Sequence, residues 1–143
     1  MQDIRWKQRH SNYSNILKVL NSNIESKALK DFSEIEKIGL SKSFELGFEL
    51  LWKLLKDYLE YENIEIGFAS PKNILKAAAE KGLLQLMDID GDILMKAHKV
   101  RNELVHIYDH EKSYESLLWV KEFFLSEMLK VDMYFKELGA KNE

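Results

Sequence analysis

The stretch Arg101-Asn102-Glu103-Leu104-Val105-His106-Ile107-Tyr108 gathers an arginine, a histidine and a tyrosine, with an asparagine beside the arginine, around one predicted helix end. These are groups that handle phosphate. Arginine presents a planar fork of donors matched to phosphate oxygens and stays charged, while histidine, with an ordinary pKa of about 6.5, gives or takes a proton near neutrality. An arginine that neutralises a phosphate and a histidine that moves a proton can together cleave a phosphodiester without a metal. The competing reading of the same residues is a surface ion pair at Arg101 and a satisfied, half-buried His106.

On an ideal helix Asn102 and His106 lie one turn apart on the same side, His98 lies one turn earlier, and Arg101 is about 140° around from His106. Arg101 and His106 therefore converge only if the helix end bends, the arginine reaches around, or a second copy of the helix contributes. The polar stripe His98, Asn102, His106 runs beside the apolar stripe Ile93, Ala97, Val100, Leu104, which puts the motif at the edge of the buried face, where a dimer partner could cover it. His98 itself is expected to be a helix-surface residue, because periodicity alone links it to the motif.

Other chemistries fit less well. His98, His106, His110 and nearby carboxylates suggest a metal site, but His106 and His110 straddle the expected helix end and no His-Glu-x-x-His string is present. Asp88-Ile89-Asp90-Gly91-Asp92 resembles a calcium loop only superficially: its glycine falls at the fourth position and Lys99 stands at the twelfth, where a bidentate Glu belongs. Asp90 or Asp92 reads instead as a helix N-cap. The paired aspartates of a nucleotidyltransferase work from a sheet, and no strand pattern or Gly-Ser loop precedes these. The sequence thus presents no cofactor-binding or metal site. Arg5-Trp6-Lys7-Gln8-Arg9-His10 could stack on bases, yet Trp6 continues a helical core stripe, and Glu45 and Glu49 read as the solvent face of a helix, without chemistry.

The elements that must carry the motif are helical. One proline and six glycines in 143 residues, with abundant Leu, Lys and Glu, favour an all-α protein, and the length fits one domain. Trp6, Tyr13, Leu17, Leu20 and Ile24 mark a first helix, and residues 25–31 a polar connection or the start of the next. In residues 42–62 the stripe Phe44, Phe48, Leu51, Leu55, Tyr58 is widened by Leu50, Leu54 and Leu59, so this second helix should sit centrally. Ser70 and Pro71 open a third helix that stops at Gly82. The fourth, after Asp92, ends near Tyr108, and a fifth from about Ser113 carries the seam Leu117, Val120, Phe124, Met128, Val131, Phe135, Leu138. The expected architecture is an antiparallel up-and-down bundle of four to five helices, as one domain over residues 1–138 with a frayed tail at 139–143. The absence of cysteine, of a spanning apolar run and of a signal-type N-terminus sets a cytoplasmic expectation, and a net charge of −3 leaves room for RNA only at a local site.

Four segments in this order, RWKQRHSNY (5–13), FELGFELLWKLLKDYLE (44–60), SPKNILKAAAEKGLL (70–84) and RNELVHIY (101–108), resemble the all-helical family of nucleotidyltransferase substrate-binding proteins, grouped with the HEPN domains and the HepT toxins of HEPN/MNT toxin–antitoxin pairs. The last segment follows the family pattern of Arg, four residues, His, one residue, Tyr; Leu94 stands where the family often has Trp. The resemblance implies a homodimer with motif helices facing across the two-fold, and a metal-independent endoribonuclease toxin. In it Arg101 holds the scissile phosphate, His106 transfers a proton and Asn102 orients the phosphate or the histidine. It also implies a minimal nucleotidyltransferase (MNT) as antitoxin partner, assembled with the dimer into a larger hetero-oligomer and able to place adenylate on Tyr108. The alternative is a non-catalytic substrate-binding subunit of a two-component nucleotidyltransferase.

Overall fold

The computed structural model describes residues 4–105 and 110–141, and every regular element among them is helical. Helix α1 (Arg5–Ile24) leads through a short turn of 3-10 helix (Leu29–Asp31) into the long α2 (Glu34–Tyr61). Then follow α3 (Pro71–Glu80), the single turn α4 (Leu83–Leu86) and α5 (Gly91–Val105). The chain ends in a rod made of α6 (His110–Trp119), a π-helical stretch Val120–Phe124 and α7 (Leu125–Lys141).

Cross-helix contacts set the directions. Arg5 reaches Glu60, Arg9 reaches Asp57 and Lys27 reaches Glu36, so α1 and α2 are antiparallel. His10 meets Asp132, and Tyr13 donates to the Met128 carbonyl, so α1 and α7 are antiparallel as well. Lys96 lies over Trp119 while Lys130 bonds the Asp88 carbonyl, which runs α5 against the rod. The result is the expected up-down-up-down bundle of α1, α2, α5 and the rod, with α3 and α4 inserted between the second and third members.

Burial of α2 in the middle follows from its two apolar faces: Phe44, Phe48, Leu51, Leu54 and Leu55 are all sealed from solvent. At Gly47 an added Cβ would lie 2.9 Å from Met128 Cε, so the small residue leaves room for the tip of that methionine side chain. The seam residues of the rod from Leu117 to Phe135 are buried and Leu138 is half-buried. In the π turn, Leu125 N–H donates to Val120 O, five residues back, and the extra residue rotates the face so that adjacent Phe124 and Leu125 both point inward. Asp57, 2% exposed, is held by the Arg9 Nε at 2.9 Å and pins α1 to the C-terminal end of α2.

Several boundaries differ from the sequence reading. Helix α2 begins at Glu34, well before residue 42, because Ser33 and Glu36 form a reciprocal capping box: Glu36 N donates to Ser33 Oγ at 3.2 Å, and Ser33 N to Glu36 Oε1 at 2.8 Å. The rod is already helical at His110, ahead of Ser113, and α7 runs through Gly139 and Ala140 to Lys141 where a frayed tail was expected. Beyond Leu138 the backbone bonds of the helix need no core contact to propagate. Gly82, at φ +80°, ends α3 as expected, but α4 follows at once and closes on Asp88 at φ 58°. Ile89 N donates to Leu84 O and Asp88 N to Gln85 O, which is the left-handed helix stop usually built on glycine. Among the described residues no helix is long and apolar enough to cross a membrane.

Candidate functional site

Helix α5 starts where Asp90 caps it: its carboxylate accepts from Asp92 N at 2.9 Å, and its carbonyl from Ile93 N. From there Leu94, Ala97, Val100 and Leu104 face the core, with Ile93 half-buried at the edge, so the helix is clamped along one side and its neighbouring face is fixed over α2. Leu94, fully buried, fills the position where an aromatic was the family expectation. Four polar side chains on this fixed face define the site: His98, Arg101 and Asn102 of α5, and Glu49 of α2.

Arg101 is the hub. Its Nη1 donates to Asn102 Oδ1 at 3.1 Å, and its Nη2 stands 4.0 Å from Glu49 Oε2, at the outer limit of an ion pair. The Nε of Arg101 is buried and has no hydrogen-bond partner among the described residues. Glu49 is held from its own helix: Trp52 Nε1 donates to Oε2 at 3.1 Å and Lys53 Nζ reaches Oε1 at 3.0 Å. Partial burial pushes the Glu49 carboxyl up, but those hydrogen bonds, with the charges of Lys53 and Arg101, outweigh it and hold the group below its ordinary value. Glu49 is thus a carboxylate at neutral pH, and it is already engaged by Trp52 and Lys53. That leaves the Arg101 fork largely available to a third party.

His98, expected at the surface, is instead half-buried and stacked on the core ring of Phe48, with centroids 6.0 Å apart and planes at 23°. It reaches inward because the α2 face under it is aromatic and flat. Its Nδ1 is buried without a hydrogen-bond partner among the described residues, as is the Nε of Arg101 three residues on. Burial, and then the charges of Arg101 and Lys72, lower its pKa, so the ring is neutral near pH 7. Among the described residues these two nitrogens, on residues three apart on α5, are the buried side-chain polar atoms without a hydrogen-bond partner.

The structure therefore brings Arg101 and Asn102 together and adds His98 and Glu49. His106 and Tyr108, the other two expected site residues, lie outside the described residues, as does the expected end of α5. The periodicity of α2 places Glu49 on its solvent face, since one helix's periodicity cannot show which residue of another helix stands opposite. The only signal in the sequence was its spacing to Trp52 and Lys53, the two residues that fix its carboxylate. Among the described residues no three His, Cys, Asp or Glu side chains stand close enough to share a metal ion.

Fold and site together define a helical bundle with an arginine-centred polar face on its third long helix. A family model described as "Nucleotidyltransferase substrate binding protein like" matches residues 8–137, and the chain belongs to that family. No curated protein matches the chain significantly.

Proposed function

We propose that this chain is the toxin of a HEPN/MNT toxin–antitoxin pair and acts as a metal-independent endoribonuclease. The observation that carries the reading is the state of Arg101: it is aimed by Asn102, faces a Glu49 already engaged by Trp52 and Lys53, and keeps its side chain one-third exposed. Such a guanidinium is prepared for a phosphate. In the reaction the ribose 2′-oxygen bonds to phosphorus and gives up its proton. The bond from phosphorus to the 5′-oxygen breaks, and that oxygen takes a proton, leaving a cyclic phosphate and a 5′-hydroxyl. Arg101 neutralises the charge that builds on the phosphate, and His106 transfers the proton.

Two copies complete the site. Leu46, three residues before Glu49, and Val105, one turn past Arg101, are both exposed apolar residues beside the polar face, which a two-fold partner would cover. The antitoxin is a minimal nucleotidyltransferase, and adenylate placed on Tyr108 would bring a bulky anion into the space of the RNA backbone and pair it with Arg101. A second reading, a non-catalytic subunit that presents a substrate to the nucleotidyltransferase, is favoured by the words of the family description itself. Intact-mass spectrometry after co-expression tests the pairing: an adenylate adduct on the Tyr108 peptide, absent in Tyr108→Phe, supports it. RNA cleavage by the isolated chain separates the toxin from the passive subunit.

A further inference from the structure

Beside the arginine site lies a groove between α3 and α5 that the proposed reaction does not use. It measures about 290 Å³ and is lined by Lys72, Leu75, Lys76, Ala79, Asp92 and Met95. On α3 the four lining residues follow three- and four-residue steps, so the helix turns one continuous stripe toward the groove, apolar at Leu75 and Ala79 and basic at Lys72 and Lys76. Both lysines are exposed, and neither has a hydrogen bond or a carboxylate partner among the described residues; Asp92 is the one acidic group on the wall. From Met95 the next turn of α5 carries His98, whose ring feels the charges of both Lys72 and Arg101, and the turn after that carries Arg101. Lys76 and Lys72 of α3 thus border the groove, with His98 between the charges of Lys72 and Arg101, in a protein whose net charge is −3.

We infer that the α3–α5 groove is a subsite for single-stranded RNA, taking one nucleotide next to the phosphate held by Arg101. Its volume sits at the small end of ligand pockets, about 300 Å³, which suits one nucleotide and little more. The flat faces of a base fit against Leu75, Ala79 and the thioether of Met95, and the two lysines meet backbone phosphates. His98 lies between the subsites, where its neutral ring can pair with a ribose or base group. An acidic or apolar protein segment would satisfy either the lysines or the floor, whereas a nucleotide strand satisfies both in alternation.

This inference rests on the ribonuclease reading, and the test separates the two. The probe is a fluorescein-labelled 2′-O-methyl RNA of roughly ten nucleotides, which cannot be cleaved, with anisotropy recorded across a salt series. Lys72→Glu/Lys76→Glu should raise Kd at least tenfold over wild type. Neutral Lys72→Gln/Lys76→Gln should lower the salt slope by about 1.4, the value for two phosphate contacts on a single strand. Lys18→Glu/Lys30→Glu, an equal charge change elsewhere, should leave Kd unchanged. Cleavage of unmodified RNA is measured alongside. If the Lys72/Lys76 variants bind with wild-type Kd while wild type cleaves, the groove is not the subsite, whether empty or filled by a protein partner, and the ribonuclease stands. If wild type binds through the lysines yet never cleaves, the ribonuclease reading falls and the groove stands. If wild type neither binds nor cleaves, both fall.

Discussion

Arg101 and Asn102 are neighbours in sequence and partners in space: the guanidinium Nη1 donates to the amide Oδ1 at 3.1 Å. Adjacent residues on a helix usually diverge by about 100°, so this bond bends the arginine back along its own helix and chooses one of its many rotamers. Because the bond fixes orientation without adding charge, Asn102→Ala should lower kcat roughly tenfold to a hundredfold with little change in KM. Asn102→Asp, which keeps the acceptor and adds a charge, should retain orientation but weaken RNA binding. Steady-state kinetics on both variants check this; equal losses in kcat would deny the positioning role.

Glu49 predicts a different signature. Its pairing with Arg101 is long and both side chains are about one-third exposed, so Glu49→Gln should change stability by less than about 1 kcal/mol. The arginine would then lose its stop against α2, and cleavage should fall while RNA binding at low salt tightens from the lost negative charge. Thermal melts combined with binding curves read both effects. A large drop in stability with unchanged kinetics would make Glu49 purely structural.

His98 carries a pH dependence whose sign is fixed by its environment. Burial first, then Arg101 and Lys72, depress its folded pKa below the ordinary 6.5, so the unfolded chain binds the proton more readily. Its contribution to stability is present above pH 6.5 and is lost as the pH falls through the folded value. His98→Gln should flatten the stability profile in that window, and an NMR titration of the ring should place its midpoint below 6.5. A midpoint above 6.5 would show that the ring has found an acidic partner.

Much of this was legible in the chain, and the exceptions have physical causes. The rod's seam, the Ser70-Pro71 start of α3 and the buried Trp6 are local or periodic features that the sequence displays directly, while the cap of α5 is narrowed by sequence to Asp90 or Asp92 and proves to be Asp90. The first turns of α2 are hidden from periodicity because Ile35 and Ile38 face solvent and blur the apolar period, although Ser33 and Glu36 hold the capping signature. The π turn needs a register shift that no propensity encodes. At the site, Arg101 and Asn102 could be found by type and spacing, whereas Glu49 beneath the arginine and Phe48 beneath His98 depend on how α2 docks under α5, which is a tertiary fact.

The capping box gives a second titration. Glu36, tied by the Ser33 backbone and then by Lys27 and the Ser33 hydroxyl, has its pKa lowered to about 2. Its contribution is present above the ordinary carboxylate range and is lost between pH 4.5 and about 2. Amide exchange in residues 34–37 should accelerate in that range, and Glu36→Gln should bring the faster exchange to neutral pH. Exchange that stays uniform from pH 5 to 3 after correction for intrinsic rates would argue against the box in solution.

Two arginines on α1 should separate by burial. Arg9→Met leaves the sealed Asp57, among the described residues, with Lys56 at 3.9 Å as its cation, whereas Arg5→Met removes a contact at 3.4 Å to the partly exposed Glu60. Urea denaturation should show a loss of about 1–3 kcal/mol for Arg9→Met and under about 1 kcal/mol for Arg5→Met. Similar values for the two would remove Asp57 as the pin between α1 and α2.

The most direct measurement is cleavage of RNA by the purified chain in the presence of excess chelator, with the ends identified by mass. Wild type should give cyclic phosphate and 5′-hydroxyl ends. Arg101→Ala should lower the rate about 10²- to 10³-fold and His106→Ala about 10²- to 10⁴-fold, both with wild-type melting curves. Undiminished cleavage by His106→Ala protein free of contaminating nuclease, or no cleavage by wild type as a confirmed dimer, would contradict the account.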